Sequence, residues 1–91
     1  MDRIELARKV KDGSPRTIVI IMSQFEDDAH IYESLVAGAR GYVVKSRGID
    51  DLPEAIYTVV SGQVYLTPPI STHRIESYAA KAGKPSLTEM H

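Results

Sequence analysis

An α/β fold, a parallel strand pair with flanking helices, is what this sequence predicts, and three observations carry it. Helical and strand patterns alternate along the chain, the habit of βαβ units. The run TIVIIM at 17–22 is apolar on both faces, as suits a parallel strand covered on two sides. Two stretches with helical apolar spacing, DAHIYESLVAGA and DDLPEAIYTVVSG, lie on either side of a second short apolar run, GYVV. Right-handed crossover then sets the two strands side by side and parallel.

Residues 2–11, DRIELARKVK, space Ile4, Leu6, Ala7 and Val10 along one helical face. Asp12-Gly13-Ser14-Pro15 stops that helix. The strand TIVIIM ends at Ser23, and QFEDD follows as a polar loop with Asp27 as helix N-cap. The next helix turns Ile31, Tyr32 and Leu35 inward and ends at Gly38. A strand over 41–44 leads into the loop Lys45–Gly48. The following helix starts near Asp50, because Pro53 is tolerated only in a first turn. Asp50 and Asp51 suit its positive N-terminal end, and its inward stripe is Leu52, Ile56, Val59 and Val60. QVYLTPP is extended by its two prolines, ISTHRIESYAAKAG is a last helix, and KPSLTEMH is a tail.

The bulk properties bound the function. Ninety-one residues fit one small domain. A net charge of −1 gives no global field toward nucleic acid or a membrane surface. The absence of cysteine excludes a disulfide scaffold, a thiolate nucleophile and a Cys-ligated zinc site. The apolar run Ile18–Met22 is too short to span a bilayer, and MDRIELARKV is too charged for a secretory signal. A cytoplasmic protein is expected.

Ligands of parallel sheets sit at the carboxyl ends of the strands, where Ser23 and Lys45 stand. On neighbouring strands the two would face one crevice, and a hydroxyl and a cation suit the oxygens of a phosphoryl group. The same spacing also fits Ser23 opening a turn and Lys45 lying in solvent. His30, beside acidic residues, reads as a pH sensor or a solvated side chain. His73 has no partner at metal spacing, and Arg74, Lys81 and Lys84 make only a mildly basic tail. No Ser-His-Asp order, glycine-rich phosphate loop or paired carboxylates emerge. Neither enzyme activity, a cofactor, a metal nor DNA binding is expected.

The stretch from Thr17 to Ile70 resembles the second half of a response-regulator receiver domain of the NarL/FixJ branch, whose receivers precede a LuxR-type helix-turn-helix. The matching signs are the apolar strand ending in Ser23, AGARGYVVK with its aromatic-x-x-Lys, DLPEAI, SGQVYLTP, and the final LTE at 87–89. The resemblance implies a partial flavodoxin-like fold. It makes Ser23 the switch hydroxyl, Tyr42 the aromatic that follows it inward, and Lys45 the partner of a phospho-aspartate. It also implies transmission through the surface of residues 27–62. For Tyr42, a static packed ring remains the other reading.

The family's acidic pair and phosphoacceptor strand have no counterpart in these residues, nor has most of the helix-turn-helix. The chain is therefore expected to be a truncated receiver-like domain over 1–69, followed by an additional helix and linker tail over 70–91, unable to accept phosphate itself. In the family order 2-1-3-4-5, the strand Ile18, Val19, Ile20, Ile21, Met22 would lie with one edge bare. A homodimer through that edge is expected, with strands antiparallel about a two-fold axis, or by exchange of the last helix. A full-length response regulator is the other expected partner. The alternative is that the chain is a piece of a complete phosphorylation-controlled transcription factor.

Overall fold

The structure, a computed structural model, describes residues 3–14, 16–45 and 52–87. Seven elements run along them: α1 (Arg3–Gly13), β1 (Ile20–Ser23), α2 (Asp28–Val36), β2 (Gly41–Val44), α3 (Leu52–Val60), β3 (Tyr65–Leu66) and α4 (Thr72–Lys81). The sheet is parallel throughout, in the order β1-β2-β3. It is the α/β architecture predicted, compatible with a partial receiver-like fold, with one more strand than the pair expected.

All four residues of β2 are buried. Ile20 faces Gly41, Ile21 faces Tyr42, Met22 faces Val43, and Ser23 faces Val44. Side chains alternate across each strand, and this sorts the core into two halves. Ile21, Tyr42, Val44 and Leu66 share one cluster with Ala7, Ile31, Leu35, Ile75 and Ala79 from α1, α2 and α4. Val43 and Tyr65 share a second with Ala55 and Val59 of α3, and Ile20, Met22 and Leu52 pack against it. Burying a side chain as fully as Ile31 contributes about 1.5–3 kcal/mol.

Caps set the helix ends. The Asp27 carboxylate accepts the His30 N–H at 3.0 Å and opens α2 as expected. Ser71 does the same for α4 through the Arg74 N–H at 3.2 Å. Beyond α2, Gly38 takes φ +110°, and the stem of Lys11 crosses it so closely that a Cβ there would lie 2.6 Å from Lys11 Cγ. The Lys11 ammonium donates to the Thr17 carbonyl at 2.8 Å, which ties the end of α1 to the approach to β1.

Three expectations are corrected. β1 begins at Ile20 rather than Thr17 and takes in Ser23. The Val19 carbonyl already accepts the Arg40 and Gly41 N–H groups at 2.9 and 3.4 Å, and the ladder with β2 starts beyond it. Ile18 and Val19 therefore precede the strand. Tyr65–Leu66 is a true strand, because the Tyr65 N–H reaches Arg40 O at 2.9 Å and the Thr67 N–H reaches Tyr42 O at 3.1 Å. On α3, Ala55 and Val59 are buried and Leu52 is half-buried, but Ile56 is 48% and Val60 68% exposed. Positions 52, 55 and 59 form one line against the narrow sheet, and 56 and 60 turn past its rim. The expected start at Asp50, with Asp51, lies outside the described residues.

After α4 the chain folds back. The Ser86 hydroxyl and the Leu87 N–H both donate to the Glu76 carboxylate at 2.6 Å. These two hydrogen bonds hold the Glu76 carboxyl below the ordinary glutamate value of 4.5. A carboxyl lowered on folding adds stability that is present above its unfolded value and is lost as pH falls through its folded one. The urea midpoint should therefore decline between about pH 6 and about pH 3, and Glu76→Gln should shrink that decline. Independently, Gly38→Ala should cost at least about 1–2 kcal/mol in urea unfolding, because alanine resists positive φ and its Cβ would strike the Lys11 stem.

Candidate functional site

At the carboxyl ends of β1 and β2 the structure assembles a corner around Phe25. Ser23 is buried, and its Oγ accepts the Phe25 N–H at 3.2 Å. Tyr42 is buried on the neighbouring strand, and its hydroxyl donates to the Phe25 carbonyl at 2.9 Å. Both polar groups of one loop residue are thus held by two of the three side chains that the sequence singles out. The Phe25 ring is half exposed and stacks on His30, with centroids 4.5 Å apart. His30 Nδ1 lies 3.5 Å from the Asp27 carboxylate, and the Ser34 hydroxyl donates to the His30 carbonyl at 2.8 Å. The corner therefore continues into the first turns of α2.

A cavity of about 100 Å³ sits inside this corner, lined by Arg3, Ile21, Ser23, Phe25, His30 and Tyr42 among others. Burial pushes the Tyr42 phenol up. The Ser23 hydroxyl opposes that shift, the Asp27 charge adds to it, and the Arg3 charge also opposes it.

Lys45 stands exposed just past β2 and borders a different space. This is an open groove of about 310 Å³ between α1 and β1, shared with Arg3, Leu6, Val10, Ile20 and Met22. The sequence placed Ser23 and Lys45 in one crevice. Among the described residues Ser23 lines the corner cavity and Lys45 the groove, and the two spaces have Arg3 and Ile21 in common. In the register of the pair, Ser23 lies opposite Val44, and Lys45 is one residue further on.

Two carboxylates near the corner are already engaged. Asp27 caps α2, and Asp28 pairs with Arg74 at 2.7 Å. Among the described residues no three His, Cys, Asp or Glu side chains group as metal ligands do. His73 is exposed at the start of α4. Among the described residues no helix is long and apolar enough to cross a membrane.

Sequence reasoning missed three participants. Phe25 gave no signal, because its role is carried by its backbone. Arg3 lies far from the corner in sequence. Thr67 is buried, and its Oγ1 accepts the Val44 N–H at 3.0 Å, closing the last rung of β2 beside the corner. A threonine just before Pro68-Pro69 was the available clue.

No family model matches the chain. It is similar to the oxygen regulatory protein NreC of Staphylococcus aureus, in strains JH9, USA300 and NCTC 8325 alike. In each comparison 28% of residues are identical over 76 positions, covering 84% of this chain and 35% of the relative. The chain thus spans about a third of the length of these curated relatives. The similarity supports the response-regulator relationship implied by the motifs between Thr17 and Ile70.

Tyr42→Phe should release the Phe25 carbonyl. The expected cost is about 0.5–1.5 kcal/mol in urea unfolding, the order of one neutral hydrogen bond. Amide exchange of residues 24–27 should quicken while that of β2 changes only by the global loss.

Proposed function

We propose that this polypeptide is a receiver-type switch module of the two-component response-regulator lineage that takes no phosphate itself and acts through protein association. One observation carries the reading. The serine and the tyrosine matching the family's switch pair converge on the backbone of a single residue, Phe25, at the carboxyl end of a parallel sheet. Such a corner has two states available, with the tyrosine hydroxyl bonded to the loop or released from it. Lys45, by resemblance the phosphoryl-pairing lysine, stands exposed one residue beyond β2. Among the described residues, Asp27 caps α2 and Asp28 pairs with Arg74, which supports the reading that the chain takes no phosphate itself.

The association surface is the outer edge of β1. Among the described residues no strand pairs with that side. Ile20, Ile21 and Met22 carry no charge there, and the adjoining Leu6 and Ile18 are about half exposed. An uncharged free edge is a template for a second strand. A second copy, antiparallel about a two-fold axis normal to the sheet, would give a sheet ordered β3-β2-β1-β1′-β2′-β3′ and bring both α1 helices to the same side. The same edge would serve a full-length response regulator.

A second reading has its own support. The chain covers only 35% of the NreC proteins that it resembles, which suits a piece of a longer phosphorylation-controlled regulator of transcription. Immunoblotting of the source cell separates the two, through a band near 10.1 kDa or one of about two and a half times that mass.

Light scattering behind a sizing column should give twice the chain mass at micromolar concentration, and Ile20→Lys should return it to a monomer. A well-folded natural monomer would overturn the edge pairing. Incubation with acetyl phosphate and magnesium should leave the intact mass unchanged. An added phosphoryl group would overturn the claim that the chain takes no phosphate.

A further inference from the structure

The apolar face that the sequence gives α1 is only partly covered. Ala7 is buried, and Ile4 packs against the main core cluster. Leu6 is 53% exposed and Val10 is half-buried, and both border the groove between α1 and β1. Ile20 and Met22 of β1, each half-buried, line the same groove. Leu6 and Val10 stand one helical turn apart, so the apolar wall runs along the groove and does not meet it at a single point.

The charge is confined to one end. Arg3 opens α1 and also borders the corner cavity that holds Ser23, which places it beside the carboxyl end of β1. Lys45 follows directly on β2, at the same end of the parallel sheet. Both line the groove, and among the described residues that line it there is no carboxylate. Two cations at the mouth of an apolar slot complement a ligand with an anionic head and an apolar tail. A guanidinium can bind a carboxylate through two parallel hydrogen bonds, and an ammonium adds another charge-assisted one.

Size narrows the class. A groove of about 310 Å³ holds roughly ten groups of water size, at about 30 Å³ each. The helix rises about 10 Å between Arg3 and Val10. Both measures suit a single short chain and leave no space for a diacyl lipid.

We propose that the groove between α1 and β1 binds a medium-chain carboxylate of about eight carbons, with its head between Arg3 and Lys45 and its chain along Leu6, Val10, Ile20 and Met22. The site is separate from the Ser23–Tyr42 corner and needs no switch there. It adjoins the strand edge proposed for pairing, so a second copy of the chain is its rival occupant.

Methyl NMR of the whole chain, titrated with octanoate, tests the site. The methyl signals of Leu6, Val10, Ile20 and Met22 should shift together and saturate, while those of Val59 and Ile75 stay in place. Affinity should rise by up to about fourfold for each methylene from hexanoate to octanoate, and level off beyond decanoate as the groove fills. Octan-1-ol should bind about fivefold more weakly than octanoate, the order expected of two exposed ion pairs. Replacing both cations, Arg3→Gln with Lys45→Gln, should abolish that preference, and both positions are exposed, so the fold should hold. Leu6→Ser should weaken acid and alcohol alike. Shifts that never saturate, or equal affinity for octanol and octanoate in the natural chain, would overturn the proposal. So would methyl shifts that follow protein concentration and ignore octanoate, which would give the groove to the second copy and leave the edge pairing standing. Saturable octanoate binding by a chain that stays monomeric would uphold the site while the edge pairing fails.

Discussion

The fold depends on β2. Its four residues are buried on both faces, and each flanking strand is defined by pairing with it. A strand this short holds its neighbours only if every rung is satisfied, and its last rung is closed by a side chain, the Thr67 hydroxyl. The alternation of Tyr42, Val43 and Val44 divides the core between α3 on one face and α1, α2 and α4 on the other. The same alternation sends Tyr42 toward Phe25. Placing the candidate switch tyrosine and building the core are therefore one constraint.

The outer side of β1 has the opposite character. β2 is enclosed, whereas β1 has a paired inner edge and an outer edge beside an apolar groove under α1. Small domains have little core from which to draw stability, and unpaired strand edges are commonly charged or covered. Here the strand itself carries no charge, and Lys45 and Arg3 stand at only one end of the groove. The proposed edge pairing would draw on that asymmetry, through a partner strand apolar along its length.

Much of this was legible in the sequence, and the reasons differ by element. The N-cap at Asp27, the inward Ile31 and Leu35, and the buried run GYVV each follow from local rules, and local rules hold wherever one residue type has one use. β3 was read only as extended chain, because a two-residue strand is defined by its partner and not by its own pattern. Periodicity sends Ile56 and Val60 to the core because it fixes a stripe but not its width, and a three-stranded sheet accepts a narrow one. Ser23 ends β1 and Lys45 follows β2, as the two apolar runs imply, but the register that sets Ser23 opposite Val44 is not visible in the sequence. The hold on residues 84–87 was illegible, since Tyr32 and Glu33 meet partners more than fifty residues away.

The cations of the last third show what that distance conceals. In the sequence Arg74, Lys81 and Lys84 read as a mildly basic tail, but Arg74 and Lys84 are spent on Asp28 and Glu33, both on α2. Ion pairs exposed to this degree contribute only about 0–1 kcal/mol each, so stability is a weak reason for them. Their geometry says more. One pins the start of α4 to the start of α2, and the other pins the tail to the middle of α2. With Ile75 and Ala79 buried between these points, α4 is fastened to α2 along its length. α2 therefore meets the strand ends through Asp27 and His30, and meets the exit of the chain through Tyr32 and Glu33.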